Sequence, residues 1–328
     1  MTGNDSWPQS CLTALVRCSH AIAEQCPDHE ETTLALHRLR NLVVVLLSET
    51  MLSVPSSPPE ITLDKAHTLV TTSQGMLAAL RDPGSPGLSN AEMDKALSET
   101  LASLSASIGA ALRRQWADKV RGLYVIIDPE VTGGREPMEI ARAAVRGGAR
   151  MLQLRDKLRD KGEILSLATP LQQLCQEHDV LLIVNDHVDL AAAVGSAGVH
   201  VGQTDLPVAQ ARQVLAPTQI LGRSNREIEQ LVESQEMGAD HVAFGAIYQT
   251  RTKGTGRPPQ GIEPLRRARE AAKVPLVAIG GINIENVAPV VEAGADAICV
   301  TAAVGSAAEP EQAASQLVEA IRAAGGRV

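Results

Sequence analysis

A chain of 328 residues, 44% of them hydrophobic, is long enough for two domains and too apolar to stay disordered. Its 30 Lys and Arg against 38 Asp and Glu leave a net charge of −8, which argues against a phosphate-backbone binder with a basic face. Five aromatic residues (Trp7, Trp116, Tyr124, Phe244, Tyr248) are too few to stack single-stranded bases, and no run of about 18 apolar residues offers a membrane span.

The first elements in chain order are helical. Residues 8–115 contain no Phe, Tyr or Trp and no β-branched run beyond Val43–Val45. Helices are expected at 9–25, 30–53, 61–82 and 90–119, with Pro- and Gly-rich breaks at 53–59 and 82–87. The last is the clearest: Met93, Leu97, Leu101, Leu104, Ile108 and Leu112 make one apolar stripe at helical spacing. Ser89 and Glu92 have the spacing of a capping box at its start. Short breaks between helices predict a small antiparallel bundle over residues 1–118. His20, His29, His37 and His67 lack metal-ligand spacing, so this half receives no chemistry. Cys11, Cys18, Cys26, Cys175 and Cys299 form no Cys-x-x-Cys, and the opening residues lack a basic and then apolar leader; a cytoplasmic setting is expected.

Beyond residue 121 short apolar runs alternate with helical stretches. The runs are 123–127, 150–154, 180–184, 198–201, 219–222, 241–244, 275–279 and 297–300. Helices are expected between them, for example at 136–147, 162–178, 225–237, 263–272 and 310–323. Gly148, Gly238 and Gly294 precede three of the runs, as helix-ending glycines should. Eight alternations imply a (β/α)8 TIM barrel over residues 119–328, preceded by the small all-α domain. An open doubly wound sheet is the alternative, but it would place Gly-x-Gly-x-x-Gly where the sequence has Asp-Pro-Glu-Val-Thr-Gly-Gly (128–134).

In a barrel the chemistry collects at the C-terminal ends of the strands. Gln153, Arg155 and Lys157 alternate after the second run, which puts them on one side and offers two cations to an anion. A solvated charged loop, continuing through residues 158–161, explains them equally well. Asn185, Asp186 and Asp189 follow the third run, and His200, Gln203 and Asp205 the fourth. Helix caps account for some of these, yet two carboxylates opposite Arg155 and Lys157 suit Mg2+ carrying a phosphate. With no thiolate and a lone His200 in the set, zinc is disfavoured. After the sixth run Thr250, Thr252 and Lys253 lie on a Gly-rich loop able to close over an anion. Gly280, Gly281 and Asn283 follow the seventh run and Thr301 the eighth, where barrels commonly bind phosphate through backbone N–H groups. Two anion sites in one mouth suit an enzyme that joins two phosphorylated small molecules. No lysine stands inside a strand for a Schiff base, and no Ser-His-Asp or Cys-His set is legible.

These residues lie in segments that resemble the thiamine-phosphate synthase family, also called thiamine-phosphate pyrophosphorylase. The segments are Leu-Tyr-Val-Ile-Ile-Asp (123–128), Gln-Leu-Arg-Asp-Lys (153–157), Asn-Asp-His-Val-Asp-Leu-Ala (185–191) and Gly-Val-His-Val-Gly-Gln-Thr-Asp-Leu-Pro (198–207). Gly-Arg-Ser (222–224), Gly-Ala-Ile-Tyr-Gln-Thr-Arg-Thr-Lys (245–253) and Ala-Ile-Gly-Gly-Ile (278–282) follow in order, so the likeness spans 123–325 and leaves out the bundle. It implies a transferase of thiamine biosynthesis that condenses hydroxymethylpyrimidine diphosphate with thiazole phosphate, releasing pyrophosphate. It further implies that Asp186 and Asp205 bind Mg2+, and that Gln153, Arg155, Lys157, Asn185, Ser224 and Lys253 hold the diphosphate substrate. Arg155, Lys157, Ser224 and Lys253 would be the catalytic members. Thr250, Thr252, Gly281, Val300 and Thr301 would hold the thiazole phosphate. A homo-oligomer is compatible, since barrels of this family often pair.

Three departures from the family pattern stand out: Asn225–Arg226 where a His often stands nearby, Gln249 for a common Pro, and Ile127 for a common Thr. None removes a phosphate or metal ligand. A thiazole tautomerase-like enzyme of the same fold would need a His acid or base in the mouth. A non-catalytic thiamine-phosphate sensor would not need both carboxylates and all three cations.

Overall fold

Apolar runs of four to six residues become strands here because both of their faces are buried, the pattern that parallel strands under helices require. The structure, a computed structural model, describes residues 63–79, 91–250 and 258–328. The helices expected at 9–25 and 30–53, the Ser89 cap, and Thr252 and Lys253 lie outside the described residues.

The chain divides into two compact units, Met1–Leu112 and Arg113–Val328. In the first, helix α1 is Leu63–Ala79 and helix α2 begins at Ala91 and runs to Ala117. Leu97, Leu101, Leu104, Ile108 and Leu112 are all buried, so the apolar stripe read from their spacing is a packed face. The last turn of α2 goes with the second unit, a few residues before the boundary expected at 118/119. Arg113 pairs with Asp240 at 3.2 Å and donates to the Pro217 carbonyl. Trp116 packs against the apolar floor formed by Val120, Tyr124, Met151, Leu181 and Ile220.

The second unit is a closed barrel of eight parallel strands in the order β1 to β8. They are β1 Gly122–Ile127, β2 Met151–Leu154, β3 Leu181–Asn185, β4 Gly198–Val201, β5 Ile220–Asn225, β6 His241–Gly245, β7 Leu276–Ile279 and β8 Ala297–Val300. Closure comes from β1 against β8, with Tyr124 opposite Cys299. Among the described residues nine helices lie among and after the strands: α3 Pro137–Arg146, α4 Lys161–Glu177, α5 Val188–Val194, α6 Val208–Val214, α7 Ile228–Glu236, α8 Ile262–Ala271, α9 Val287–Glu292, α10 Ala302–Gly305 and α11 Pro310–Ala323. The (β/α)8 architecture expected from the alternation is therefore the one observed.

Alternation along each strand splits the core in two. Leu123, Val125 and Ile127 pack outward under the helices, while Tyr124, Ile126, Met151, Ile183, Ala243, Val277 and Cys299 fill the barrel. The three helix-ending glycines adopt left-handed backbone, with φ of 93° at Gly148 and Gly238 and 95° at Gly294. Two of them open the same device. Asp240 accepts from the Leu221 N–H at 2.8 Å and Asp296 from the Leu276 N–H at 2.9 Å, each tying one strand start to its neighbour. Arg212 and Arg269 pair with these carboxylates at 2.5 and 2.6 Å. Helix α11 closes the ring against α3; a Cβ on Gly147 would lie 2.5 Å from Ala314 Cβ. Cys175 and Cys299 are buried and form no disulfide; burial pushes the Cys175 thiol up to about 12. No helix of the described residues is long and apolar enough to cross a membrane.

Candidate active site

The C-terminal ends of the strands surround a cavity of about 250 Å³. Its floor is apolar, from Ile126, Ala243, Ile279 and Cys299. Around it stand Arg155 after β2, Ser224 and Asn225 at the end of β5, Thr250 after β6, Gly280 and Gly281 after β7, and Val300 and Thr301 at the end of β8. Seven residues singled out in the sequence thus meet around one space: Arg155, Ser224, Thr250, Gly280, Gly281, Val300 and Thr301.

Arg155 reaches this space because β2 ends one residue before it and Asp128 holds its guanidinium. Asp128 is fully buried just past β1, and it pairs with Arg155 Nη1 while also accepting the Glu130 N–H at 3.1 Å. The sequence offered a signal for this partner, since both residues follow the ends of strands that pair directly.

Ser224 is held twice, from β4 and from the loop that follows it. His200 Nε2 shares a hydrogen bond with its Oγ at 2.9 Å, and Gln203 Nε2 donates to its carbonyl at 2.6 Å. Beneath them lies His241, wholly buried, its ring 5.7 Å from that of His200. Gly222 makes room for both imidazoles, because a Cβ there would collide with His241 Nε2 and His200 Nδ1. Burial, opposed weakly by Asp240, drops the His241 pKa to about 4, so the ring is neutral at physiological pH.

Lys157, Asp186 and Asp205 form a second cluster outside the cavity lining. Lys157 Nζ pairs with Asp186 at 2.5 Å. Asp186 sits at φ 62°, a left-handed conformation that Asp tolerates better than most side chains, and its N–H donates to the His200 carbonyl at 2.8 Å. Burial raises the Asp205 pKa, and the adjoining Asp186 carboxyl raises it further, against the Gly202 N–H that bonds Asp205 at 2.7 Å. Two carboxyl groups forced together in this way have the chemistry of a Mg2+ site, which takes one or two carboxylates and completes its shell with water and phosphate oxygens. The described residues contain no group of three or more His, Cys, Asp or Glu poised as an all-protein metal cage.

Gln153 and Asn185 are buried and are not among the residues that line this cavity. Gln153 is buried and donates to Tyr124 Oη at 2.6 Å; Asn185 is buried at the end of β3. Burial raises the Tyr124 pKa well above its usual value, so the phenol stays protonated.

The side formed after β7 relies on backbone shape. Gly280 and Gly281 have φ of 103° and 68°. A Cβ on Gly281 would come within 2.5 Å of the Gln249 carbonyl and 2.8 Å of Tyr248 Cβ. Only glycine combines that conformation with that approach. Asp128, Asn225 and Arg226 belong to the lining as well, although sequence reading gave them no role. Asn225 Oδ1 accepts from Ser234 Oγ at 2.7 Å, which locks the end of β5.

A family model described as thiamine monophosphate synthase matches residues 123–304. The thiamine-phosphate synthase of Moorella thermoacetica is 41% identical over 205 residues, covering 62% of this chain and 98% of that protein. The thiamine-phosphate synthase of Natronomonas pharaonis is 41% identical over 203 residues, covering 61% and 94%. Among solved structures, thiamine phosphate pyrophosphorylase from Pyrococcus furiosus superposes with a TM-score of 0.60 at 34% identity, over 64% of this chain and 100% of that one.

Proposed function

The chain belongs to the thiamine monophosphate synthase family, and from that premise we propose that its barrel condenses hydroxymethylpyrimidine diphosphate with thiazole phosphate to give thiamine phosphate and pyrophosphate. The observation that carries this reading is the pairing, at one barrel mouth, of an uncharged glycine wall with a charged cluster from β2 to β4. Each substrate bears phosphate, and each half of the mouth suits one of them. We assign residues 119–328 to the reaction, with residues 1–118 as a separate helical domain.

In the proposed step the bond between the pyrimidine methylene carbon and the diphosphate oxygen breaks, and its electron pair leaves on the oxygen. The thiazole nitrogen forms the new bond to that carbon, so no protein nucleophile is needed. Arg155, Lys157 and Ser224, with Lys253, hold the departing diphosphate where its charge grows. Gln153 and Asn185 orient the pyrimidine end. Thr250, Thr252, Gly281, Val300 and Thr301 hold the thiazole phosphate, which keeps the nitrogen aimed at the carbon. The apolar floor keeps water from capturing the cation. Asp186 and Asp205 are the residues that would hold Mg2+, which when bound offsets the diphosphate charge. The phosphorylated substrates and the buried thiols Cys175 and Cys299 fit a cytoplasmic enzyme.

The test mixes the full chain with both precursors and measures thiamine phosphate with Mg2+ and with excess chelator. Product with Mg2+ and its loss on chelation are expected. No product under either condition overturns the reading.

A further inference from the structure

Among the described residues, the cavity wall holds one charge that the proposed step does not use. Asp128 and Arg155 are an ion pair, so their formal charges cancel. Among the described residues the one remaining charged residue of the lining is Arg226, two positions after Ser224 and just past the end of β5. Its guanidinium Nη2 donates to the Pro258 carbonyl at 2.7 Å, a neutral acceptor. No carboxylate among the described residues pairs with it.

The residue is nonetheless firmly placed. Its N–H donates to Gln230 Oε1 at 2.9 Å, and its carbonyl accepts from Gln260 Nε2 at 2.7 Å. A guanidinium presents five N–H donors in a rigid fork that matches phosphate oxygens, and one of them is spent on Pro258. A half-buried cation with an anchored backbone, a spare fork and no anionic partner among the described residues is favourable in a cavity wall when an anion occupies the cavity.

We propose that Arg226 is a further binding residue for a substrate phosphate, acting from the β5 side of the cavity. The inference rests on the synthase reading and deepens it. The shared chemistry is the phosphate group, which either substrate could bring: the diphosphate beside Ser224 or the thiazole phosphate against Gly281 and Thr301.

The experiment measures binding of inorganic pyrophosphate with Mg2+, and separately of thiazole phosphate, by calorimetry at low and moderate salt. The full-length chain is compared with Arg226→Gln and Arg226→Lys. Glutamine removes the charge and leaves a polar side chain too short for Pro258; lysine keeps the charge. The expected result is an affinity loss of about tenfold for one ligand in Arg226→Gln, with most of it restored in Arg226→Lys. The salt dependence of that affinity should flatten in the glutamine variant, while the melting temperature holds. Loss with pyrophosphate assigns the residue to the diphosphate; loss with thiazole phosphate assigns it to the other substrate. Equal affinities of wild type and Arg226→Gln for both ligands overturn the inference. So does equal damage in the glutamine and lysine variants with a lowered melting temperature, which marks a latch on Pro258. Wild-type thiamine phosphate synthesis, assayed alongside, separates the two failures: its presence leaves the synthase reading standing, and its absence removes both.

Discussion

The two halves of the barrel mouth are built by different means. From β2 to β4 the charges are side chains pressed together: Lys157 on Asp186, and Asp186 on Asp205. At β7 and β8 the described residues of the wall are Gly280, Gly281, Val300 and Thr301, and none of these is charged. The first half can be dismantled by removing a charge, and the second only by adding an atom. This asymmetry suits chemistry in which one phosphate group departs with growing charge and the other only anchors its molecule.

Substitutions can break the two halves separately. The largest effect is expected for Asp186→Asn, which removes the charge while keeping a side chain tolerated at φ 62°. Turnover should fall by about 100- to 1,000-fold with an unchanged circular dichroism spectrum. Activity within a factor of about two of wild type would remove Asp186 from the charged half. Gly281→Ala attacks the other half, since its Cβ meets the Gln249 carbonyl at 2.5 Å. The KM for thiazole phosphate should rise about tenfold, with a stability loss of about 1–3 kcal/mol in urea titration. A KM increase confined to the pyrimidine substrate would reverse the assignment of the halves.

Smaller effects test what supports both. His200→Leu deprives Ser224 Oγ of its 2.9 Å partner. A kcat loss of about five- to tenfold is expected, and no further loss when Ser224 is already alanine. Additive losses would show that His200 acts elsewhere. The smallest effect on activity concerns His241, whose pKa is lowered to about 4 by burial. The unfolded chain, with its histidine near 6.5, then binds the extra proton first as pH falls. Stability is fully present above about pH 6.5, declines between there and about pH 4, and loses about 3 kcal/mol across that window. His241→Phe should flatten this part of the urea-denaturation profile, and an unchanged slope would assign it to another group.

The strands were legible because burial on both faces leaves short apolar runs with no competing periodicity. Their ends were less so. Arg223, Ser224 and Asn225 look like loop, yet they complete β5, because strand ends at a barrel mouth carry polar residues. The short helices α5, α6, α9 and α10, of four to seven residues, fall below the window in which helical periodicity can be counted. At the site, alternation and residue type pointed to Arg155, Lys157 and the paired carboxylates. Asp128 was visible as a residue but not as the partner of Arg155, since 27 positions separate them and only the β1–β2 register joins them. His200 read as a lone histidine for the same reason: Ser224, its partner, lies 24 residues on. Arg226 stood out only as a departure from pattern, and its place in the cavity wall depends on how β5 ends.

The pairing of β1 with β8 also dictates the order in which the chain can mature. Gly122–Val125 has no permanent neighbour on one side until Ala297–Val300 has been synthesised, some 175 residues later. Until then an emerging chain carries a bare strand edge able to pair with another copy, and only complete closure removes it. Contacts this distant in sequence also slow folding, because the intervening loop must be ordered before the reward arrives. A chain ended before Ala297 is therefore expected to aggregate when expressed even though every proposed ligand up to Gly281 is present, whereas the full-length chain should stay in the supernatant after centrifugation.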